Sequence, residues 1–400
     1  MQIDFVSDIS TLDRAQWNSL FGGSYPFCQY DFLLALEQGA SVNGNSGWQS
    51  QHLVVRQNGQ LIAAMPAYLK WHSYGEYLFD WQFADAYRHY NLPYYPKLLS
   101  AVPFTPAQGP RLGIAAGYQH IDMLKPITKA LVKLIDSSEL SQFQCLYASD
   151  NDKAAFRQSG YQERIDVQFL WQNSGYQHFD DFLQQLTSRK RKQIRKERQT
   201  VSEQGVEIRI ITGADLTLAF WQQFYRFYRA TYSKRSGHGG YLTLQTFVRW
   251  GQSMAAQIVV FAAFRQHDMV AAALCFRSDD TLYGRYWGCN EDFRQLHFEC
   301  CYYSGIQYCI EHKLQYFDAG AQGEHKLQRG FEPVLRSGFY HIKPTILSPA
   351  INDYIQREHQ AVRQYQAEAI TQLPYKLKHI QRGLKRLFRY LIISADSYSH

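Results

Sequence analysis

The densest concentration of reactive side chains is Phe317-Asp-Ala-Gly320-Ala-Gln-Gly323-Glu324-His325-Lys326-Leu-Gln-Arg329-Gly330-Phe331. Asp318, Glu324, His325, Lys326 and Arg329 fall within twelve residues of expected loop, a set able to move protons and to hold an anion. Gly320 and Gly323 allow a sharp exit from a strand and let a ligand approach the backbone. A second stretch, Tyr283 to Glu299, reads as a strand, a polar loop and a helix start. Unpaired N–H groups at such a start favour carbonyl, carboxylate or phosphate. Arg285 and Arg294 suit phosphates there, and Trp287, His297 and Glu299 surround them. Arg285 and Trp287 equally fit ordinary strand positions, and Glu299 equally fits a complement to the helix dipole.

Several familiar chemistries lack support. The chain contains no GxxxxGK[ST], GxSxG, HExxH or GxGxxG, the signatures of nucleotide hydrolysis, α/β-hydrolases, zincins and dinucleotide binding. Its seven cysteines include no CxxC pair, so neither a zinc knuckle nor a disulfide framework is expected. A reduced, cytoplasmic setting is the expectation. No basic, apolar leader opens the sequence, and no apolar run approaches ~18 residues.

The net charge of +7 is unevenly placed. Residues 189–198 carry +6 and residues 375–400 carry +5, leaving −4 on the rest. The first segment reads as a helix over 180–204 with Arg191, Arg195 and Arg198 on an outer face. Tolerating that self-repulsion points to a polyanionic partner such as tRNA or CoA phosphates. In the tail, Leu373, Leu377, Ile380, Leu384, Leu387 and Leu391 alternate with six Lys/Arg. That pattern fits a membrane-surface helix or one docked on its own domain.

At 400 residues and 46% hydrophobic composition, the elements positioning these residues need two or three cores. The first half reads as mixed α/β, with a hairpin turning at Asn58-Gly59 and a helix at 121–137. In the second half, strands near 257–265, 269–277 and 281–287 are joined by short turns. A helix at 298–312 and a strand at 315–319 follow. The same order of elements occurs in each half, which indicates duplication. The expected division is 1–175, 176–370 and a tail, 371–400.

The runs Ser73-Tyr-Gly-Glu-Tyr-Leu-Phe-Asp80-Trp, Asp85-Ala-Tyr87, Tyr94-Tyr-Pro-Lys97, Ala101-Val-Pro-Phe-Thr-Pro and Gly109-Pro-Arg111 resemble the FemAB-like N-acyltransferases. So do Ser188-Arg-Lys-Arg-Lys, Leu282-Tyr-Gly-Arg-Tyr-Trp-Gly-Cys and Gly320-Ala-Gln-Gly-Glu-His-Lys. The resemblance covers about 10–370 and implies two tandem GNAT-like α/β domains. It further implies transfer of an acyl or aminoacyl group to an amine, such as one on a lipid-linked muropeptide. The co-substrate would be acyl-CoA or aminoacyl-tRNA, with no tightly bound cofactor and no metal. On that reading Glu324, His325 and Glu299 are candidate bases, and Lys326 steadies an oxyanion or phosphate. Arg285, Trp287, His297, Arg329, Gly320, Gly323, Arg191 and Arg195 would hold the donor. Asp80, Asp85, Tyr87, Tyr94 and Lys97 would bind the acceptor. Arg189–Arg198 would touch tRNA, and the tail would touch the inner face of a membrane. The alternatives are a conventional acyl-CoA-dependent acetyltransferase of a small amine and a non-catalytic module that grips tRNA or a cell-wall precursor.

Overall fold

In the computed structural model, residues 1–321 and 323–376 are described, so the expected basic tail from residue 377 onward lies outside them. Fifteen strands form two sheets among these residues. In chain order they are β1 (Gln2–Val6), β2 (Trp48–Ser50), β3 (His52–Gln57), β4 (Gln60–Met65), β5 (Tyr68–Lys70), β6 (Lys97–Ser100), β7 (Gly113–Ile114) and β8 (Gln142–Leu146). There follow β9 (Gln162–Gln172), β10 (Val206–Ile211), β11 (Ile258–Arg265), β12 (Asp268–Arg277), β13 (Thr281–Cys289), β14 (Tyr316–Asp318) and β15 (Glu332–Ile342). The small sheet runs β1-β3-β4-β7, and the Asn58-Gly59 hairpin lies within it.

The large sheet has eleven strands in the order β10-β11-β12-β13-β14-β9-β15-β8-β6-β5-β2. Its centre is a long antiparallel ladder of β9 with β15, from Glu332↔Leu170 to Tyr340↔Gln162. Outward from it the two sides match. Each has an antiparallel neighbour (β14 or β8), then a parallel one (β13 or β6), then an antiparallel one (β12 or β5). This is the duplication that the element order implies. The closing strands are exchanged: β9 leaves the first half to pair with β14, and β15 returns from the second half to pair with β8. The expected boundary at 175/176 falls after β9, while the sheet runs through it unbroken.

Central strands such as β11 and β12 are buried on both faces, which is why they read as continuous apolar runs rather than alternating ones. One core joins the halves. The helix Tyr30–Gln38 packs on Leu244–Ser253, with Phe32 stacked on Trp250 at 4.7 Å and Trp250 Nε1 donating to the Phe32 carbonyl at 3.2 Å. Thr246 lies so close to Gly39 that a Cβ there would meet its Oγ1 at 2.2 Å. Fully burying an aromatic side chain is worth about 1.5–3 kcal/mol, so this seam holds the halves as one body.

Two expectations are corrected. The basic helix over 180–204 is two helices, Phe179–Gln185 and Ser188–Glu203. Between them Leu186 bridges Tyr375 and the Thr187 N–H donates to the Pro374 carbonyl, which ends the first helix. The stretch after Gly323 is not open loop: Glu324–Arg329 forms a 3-10 helix with Lys326, Leu327 and Arg329 buried.

Candidate active site

The parallel pair β13/β14 is short. Its register ends at Tyr283↔Asp318, after which β13 continues to Cys289 while the other chain turns away at Gly320, whose φ is +87°. A bulge at the same level sets Leu274 opposite Tyr286 and Cys275 opposite Gly284, leaving Arg285 as the extra residue. Bulges re-aim side chains and occur beside active sites. The parting strands open a cavity of about 650 Å³ whose floor includes Gly284 to Trp287 and Ala319 to Ala321.

Three further elements wall it. The helix Leu218–Ser236 sends Thr231, Tyr232 and Arg235 to one side, and it lies so tightly on β13 that a Cβ at Gly288 would sit 2.3 Å from the Phe227 backbone. The helical run from Leu296 to Glu311 supplies His297, Cys301 and Tyr302. A π-turn at Glu299–Tyr303 inserts an extra residue into that run. Glu299 and Tyr302 thereby serve different surroundings. The third wall comes from the first half: Tyr77, Phe79, Phe104 and Pro106 reach across the seam. Phe104 stacks on Tyr241 at 4.8 Å. Tyr77 takes a left-handed φ of +66°, a conformation costing a bulky residue roughly 1–3 kcal/mol, and its hydroxyl sits beside that of Tyr232.

The site is rich in cations and poor in carboxylates. Arg285, buried on the floor, pairs with Asp318 at 3.2 Å, and Asp318 also accepts the Gly320 N–H at 2.9 Å. Lys326 is 1% exposed and donates to the Gly320 carbonyl at 2.5 Å, so it braces the glycine turn from behind. Burial lowers its pKa to about 8 against the opposing pull of Asp318. His325 Nε2 lies 2.7 Å from the Tyr302 hydroxyl. Partial burial first, then Arg329, Lys326 and Arg235, lower its pKa to about 4. His297, 6.2 Å away ring to ring, falls to about 3 through burial and then Arg235. Both imidazoles are therefore neutral near pH 7, in the form that accepts a proton.

Of the residues singled out in the sequence, Arg285, Trp287, His297, Gly320, Gly323 and His325 line this cavity, and Lys326 lies directly behind it. Others stand elsewhere. Glu299 is held by Arg198, both of whose nitrogens Nε and Nη2 reach it at 2.9–3.2 Å, on the side facing the basic helix. Glu324 accepts from the Tyr365 hydroxyl at 2.7 Å, on the surface. Arg329 ties the 3-10 turn to the basic helix through Glu197 at 3.0 Å and lies over the Phe298 ring at 3.4 Å. Arg191 bonds Ser188 and Arg195 pairs with Asp180, both at the surface of that helix.

In the first half, Asp80, Tyr94 and Lys97 do meet, but in a sealed cluster. Lys97 Nζ reaches Asp80 Oδ2 at 2.5 Å, Glu76 Oε2 at 2.8 Å and Ser73 Oγ at 3.0 Å, and the Asp80 and Lys97 residues are both 0% exposed. Burial pushes Asp80 up, yet Lys97 and the Ser73 and Tyr94 hydroxyls outweigh it and hold the pKa at about 2. For Glu76 burial wins, raising its pKa to about 7. Tyr87 packs on Tyr94 at 5.1 Å, and Asp85 is exposed beside Arg88. None of the five lines the cavity. Their cluster instead fixes the segment Ser73–Asp80 that carries Tyr77 and Phe79 into it. Arg235, Tyr232, Tyr77 and Phe104 line the cavity without being among the site residues expected from the sequence. The basic helix end running into Gly237-His-Gly-Gly240 was the available signal for Arg235.

The FemAB-like family, described as peptidoglycan biosynthesis/recognition, matches residues 8–377. No curated protein matches the chain significantly. Among solved structures, FemX superposes with a TM-score of 0.50 at 10% identity, covering 86% of this chain and 98% of its own. L-PGS from Bacillus licheniformis gives 0.53 at 9% identity, covering 90% and 99%. A conserved protein of unknown function from Bacteroides thetaiotaomicron gives 0.50 at 12%, covering 86% and 100%. At these identities the likeness is one of fold, here two matching mixed α/β halves joined through one large sheet.

Proposed function

We propose that this chain, which belongs to the FemAB-like family, is an N-acyltransferase or aminoacyltransferase that joins its donor and an amine acceptor in the cavity between its halves. The observation that carries this reading is the opened β13/β14 pair, which sets neutral His297 and His325 beside the Arg285–Asp318 pair and the braced Gly320 turn. An amine attacking an ester or thioester carbonyl needs juxtaposition, a proton acceptor and donors for the developing oxyanion. His325, oriented by Tyr302, is the proposed base, and no covalent enzyme intermediate is required. The family description favours an acceptor on a cell-wall precursor. The donor is aminoacyl-tRNA or acyl-CoA, and the exposed Arg189, Lys192 and Lys196 of the basic helix offer its polyanionic part a landing face. The proposed setting is the cytoplasm, at the inner face of the membrane. Among the described residues no helix is long and apolar enough to cross a membrane.

The test is amide formation followed by mass spectrometry. The purified protein is given alanyl-tRNA or acetyl-CoA together with a muropeptide bearing a free amine. Product is expected with one donor, and His325→Gln should lower turnover roughly 10²–10⁴-fold, the scale for a positioned general base. Unchanged turnover in His325→Gln and in His297→Gln, or no product from either donor, overturns the reading.

A further inference from the structure

The charges around the cavity do not balance. Arg285 pairs with Asp318, and Arg329, behind His325, pairs with Glu197. Arg235 at the mouth and Lys326 beneath the turn have no ion pair among the described residues. The nearby acids are otherwise engaged: Glu324 is turned to Tyr365, and Asp292 to Lys234. The Arg285 side chain is 2% exposed, yet its Nε lies buried without a hydrogen-bond partner. A buried guanidinium using part of its donor set is costly unless something else completes it. The rest of the lining is uncharged and much of it is aromatic, including Tyr77, Phe104, Tyr232, Tyr286, Trp287 and Tyr302. Such a lining keeps the dielectric low and strengthens the pull on an anion.

We propose that the cavity binds a substrate through an oxyanion group, a carboxylate or a phosphate, which Arg235 closes over at the mouth and the Arg285–Asp318 pair orients from the floor. This rests on the reading of the cavity as a substrate site and adds the chemical class of what enters it. Arg235 suits the task because a guanidinium meets a carboxylate or phosphate with two parallel N–H bonds. It stands on the last turn of the helix Leu218–Ser236, just before Gly237 at a φ of +71°, so it lies at an edge of the site rather than within the core. An anion there would also offset Arg235, which after burial is the first charge holding down the pKa of His297, and which adds to burial, Arg329 and Lys326 at His325. Binding of the charged substrate would thus restore basicity to the imidazoles that need it. The groups facing His325 are Arg235, Lys326, Arg329, His297 and Tyr302.

The test uses calorimetric titration of the full chain at constant ionic strength with three probes: pyrophosphate, N-acetylglycine and its neutral amide, N-acetylglycinamide. At least one oxyanion probe should bind while the amide does not, and which one binds separates phosphate from carboxylate. Arg235→Gln should weaken that binding at least 10-fold with an unchanged melting temperature, and Arg235→Lys should fall between. A triple change of the exposed Lys125, Lys129 and Lys133 to Gln, on the helix His120–Asp136 that lines no part of the cavity, should leave it intact. Equal binding of the amide, no oxyanion binding by the wild type, unchanged affinity in Arg235→Gln, or loss in the helix triple variant overturns the proposal. Acyl transfer that persists without oxyanion binding overturns this inference alone. Oxyanion binding without acyl transfer leaves it standing and overturns the transferase reading.

Discussion

Both halves contain a short parallel strand pair, and the two pairs have opposite fates. In the second half β13 and β14 part after Tyr283↔Asp318, and the space between them is the cavity. In the first half β6 and β8 part after Ser100↔Cys145, and the chain itself fills the gap. Residues 101–108 swing out and return at Gly109, which bridges Ala148 in parallel. Arg111, 0% exposed, then closes the space, its Nε donating to the Leu146 carbonyl and its Nη2 to the Ala107 carbonyl. The excursion that plugs one gap supplies Phe104 and Pro106 to the wall of the other. One copy of the architecture has become scaffold and the other has stayed open. The charges divide the same way. In the first half Lys97 and Lys70 meet Asp80 and Glu76 inside the protein, whereas in the second half cations border an accessible space.

That contrast can be broken most forcefully at Lys97. Lys97→Met leaves Asp80 buried without its cation and should cost about 3–5 kcal/mol of stability, the usual cost of stranding one partner of a buried pair. Urea unfolding measures this, and a loss under 1 kcal/mol would mean the cluster is not the scaffold described. Next is Gly109→Ala at the plug, where a Cβ would stand 2.2 Å from the Tyr25 ring. Overpacking of that kind should cost about 1–3 kcal/mol.

A smaller effect concerns pH. His297 and His325 have native pKa values of about 3 and about 4, below the usual 6.5, so between about pH 4 and 6.5 the unfolded chain binds protons that the native one refuses. Stability from these two residues is complete above pH 6.5 and is lost as pH falls through that window. Glu76, raised from 4.5 to about 7, works in the opposite sense: its contribution is present below pH 4.5 and fades as pH rises toward 7. Stability curves of a His297→Gln, His325→Gln double variant and of Glu76→Gln should therefore diverge from the wild type with slopes of opposite sign. Parallel curves would refute the assignment. The smallest change in stability is expected from Gly284→Ala. The added methyl would meet only ordinary contacts at 3.4–3.8 Å, so stability measured by urea unfolding should stay within about ±0.5 kcal/mol, while ligand binding in the cavity changes.

The sequence shows some of this and hides the rest for definable reasons. The β11–β12–β13 meander is legible because Gln266–Asp268 and Asp279–Asp280 interrupt continuous apolar runs. That the glycine-bracketed stretch after Asp318 borders the candidate cavity is legible because charged side chains crowd a strand exit. Burial of Lys326 is not, since nothing local tells a lysine bonded to a carbonyl six residues back from a solvated one. Glu299 misleads because the π-turn places it opposite Arg198, and helix periodicity cannot foresee an inserted residue. Asp80 and Lys97 look like ligand-binding groups because charged side chains are seldom fully buried, and only the fold shows that each is the other's partner. Tyr77 is hidden because a tyrosine with positive φ carries no signature in composition.

The exchange of β9 and β15 has a consequence for how the chain is made. β8 is finished by residue 146, but its neighbour β15 begins at residue 332, so nearly two hundred further residues must leave the ribosome before that edge is covered. β9 likewise waits for both β14 and β15. A nascent first half therefore leaves three strand edges waiting, one on β8 and both on β9, the kind of surface that recruits another chain when left open. Productive synthesis must keep that half occupied or sheltered until the second is complete, and a stalled or truncated product would be more prone to aggregation than its own core suggests.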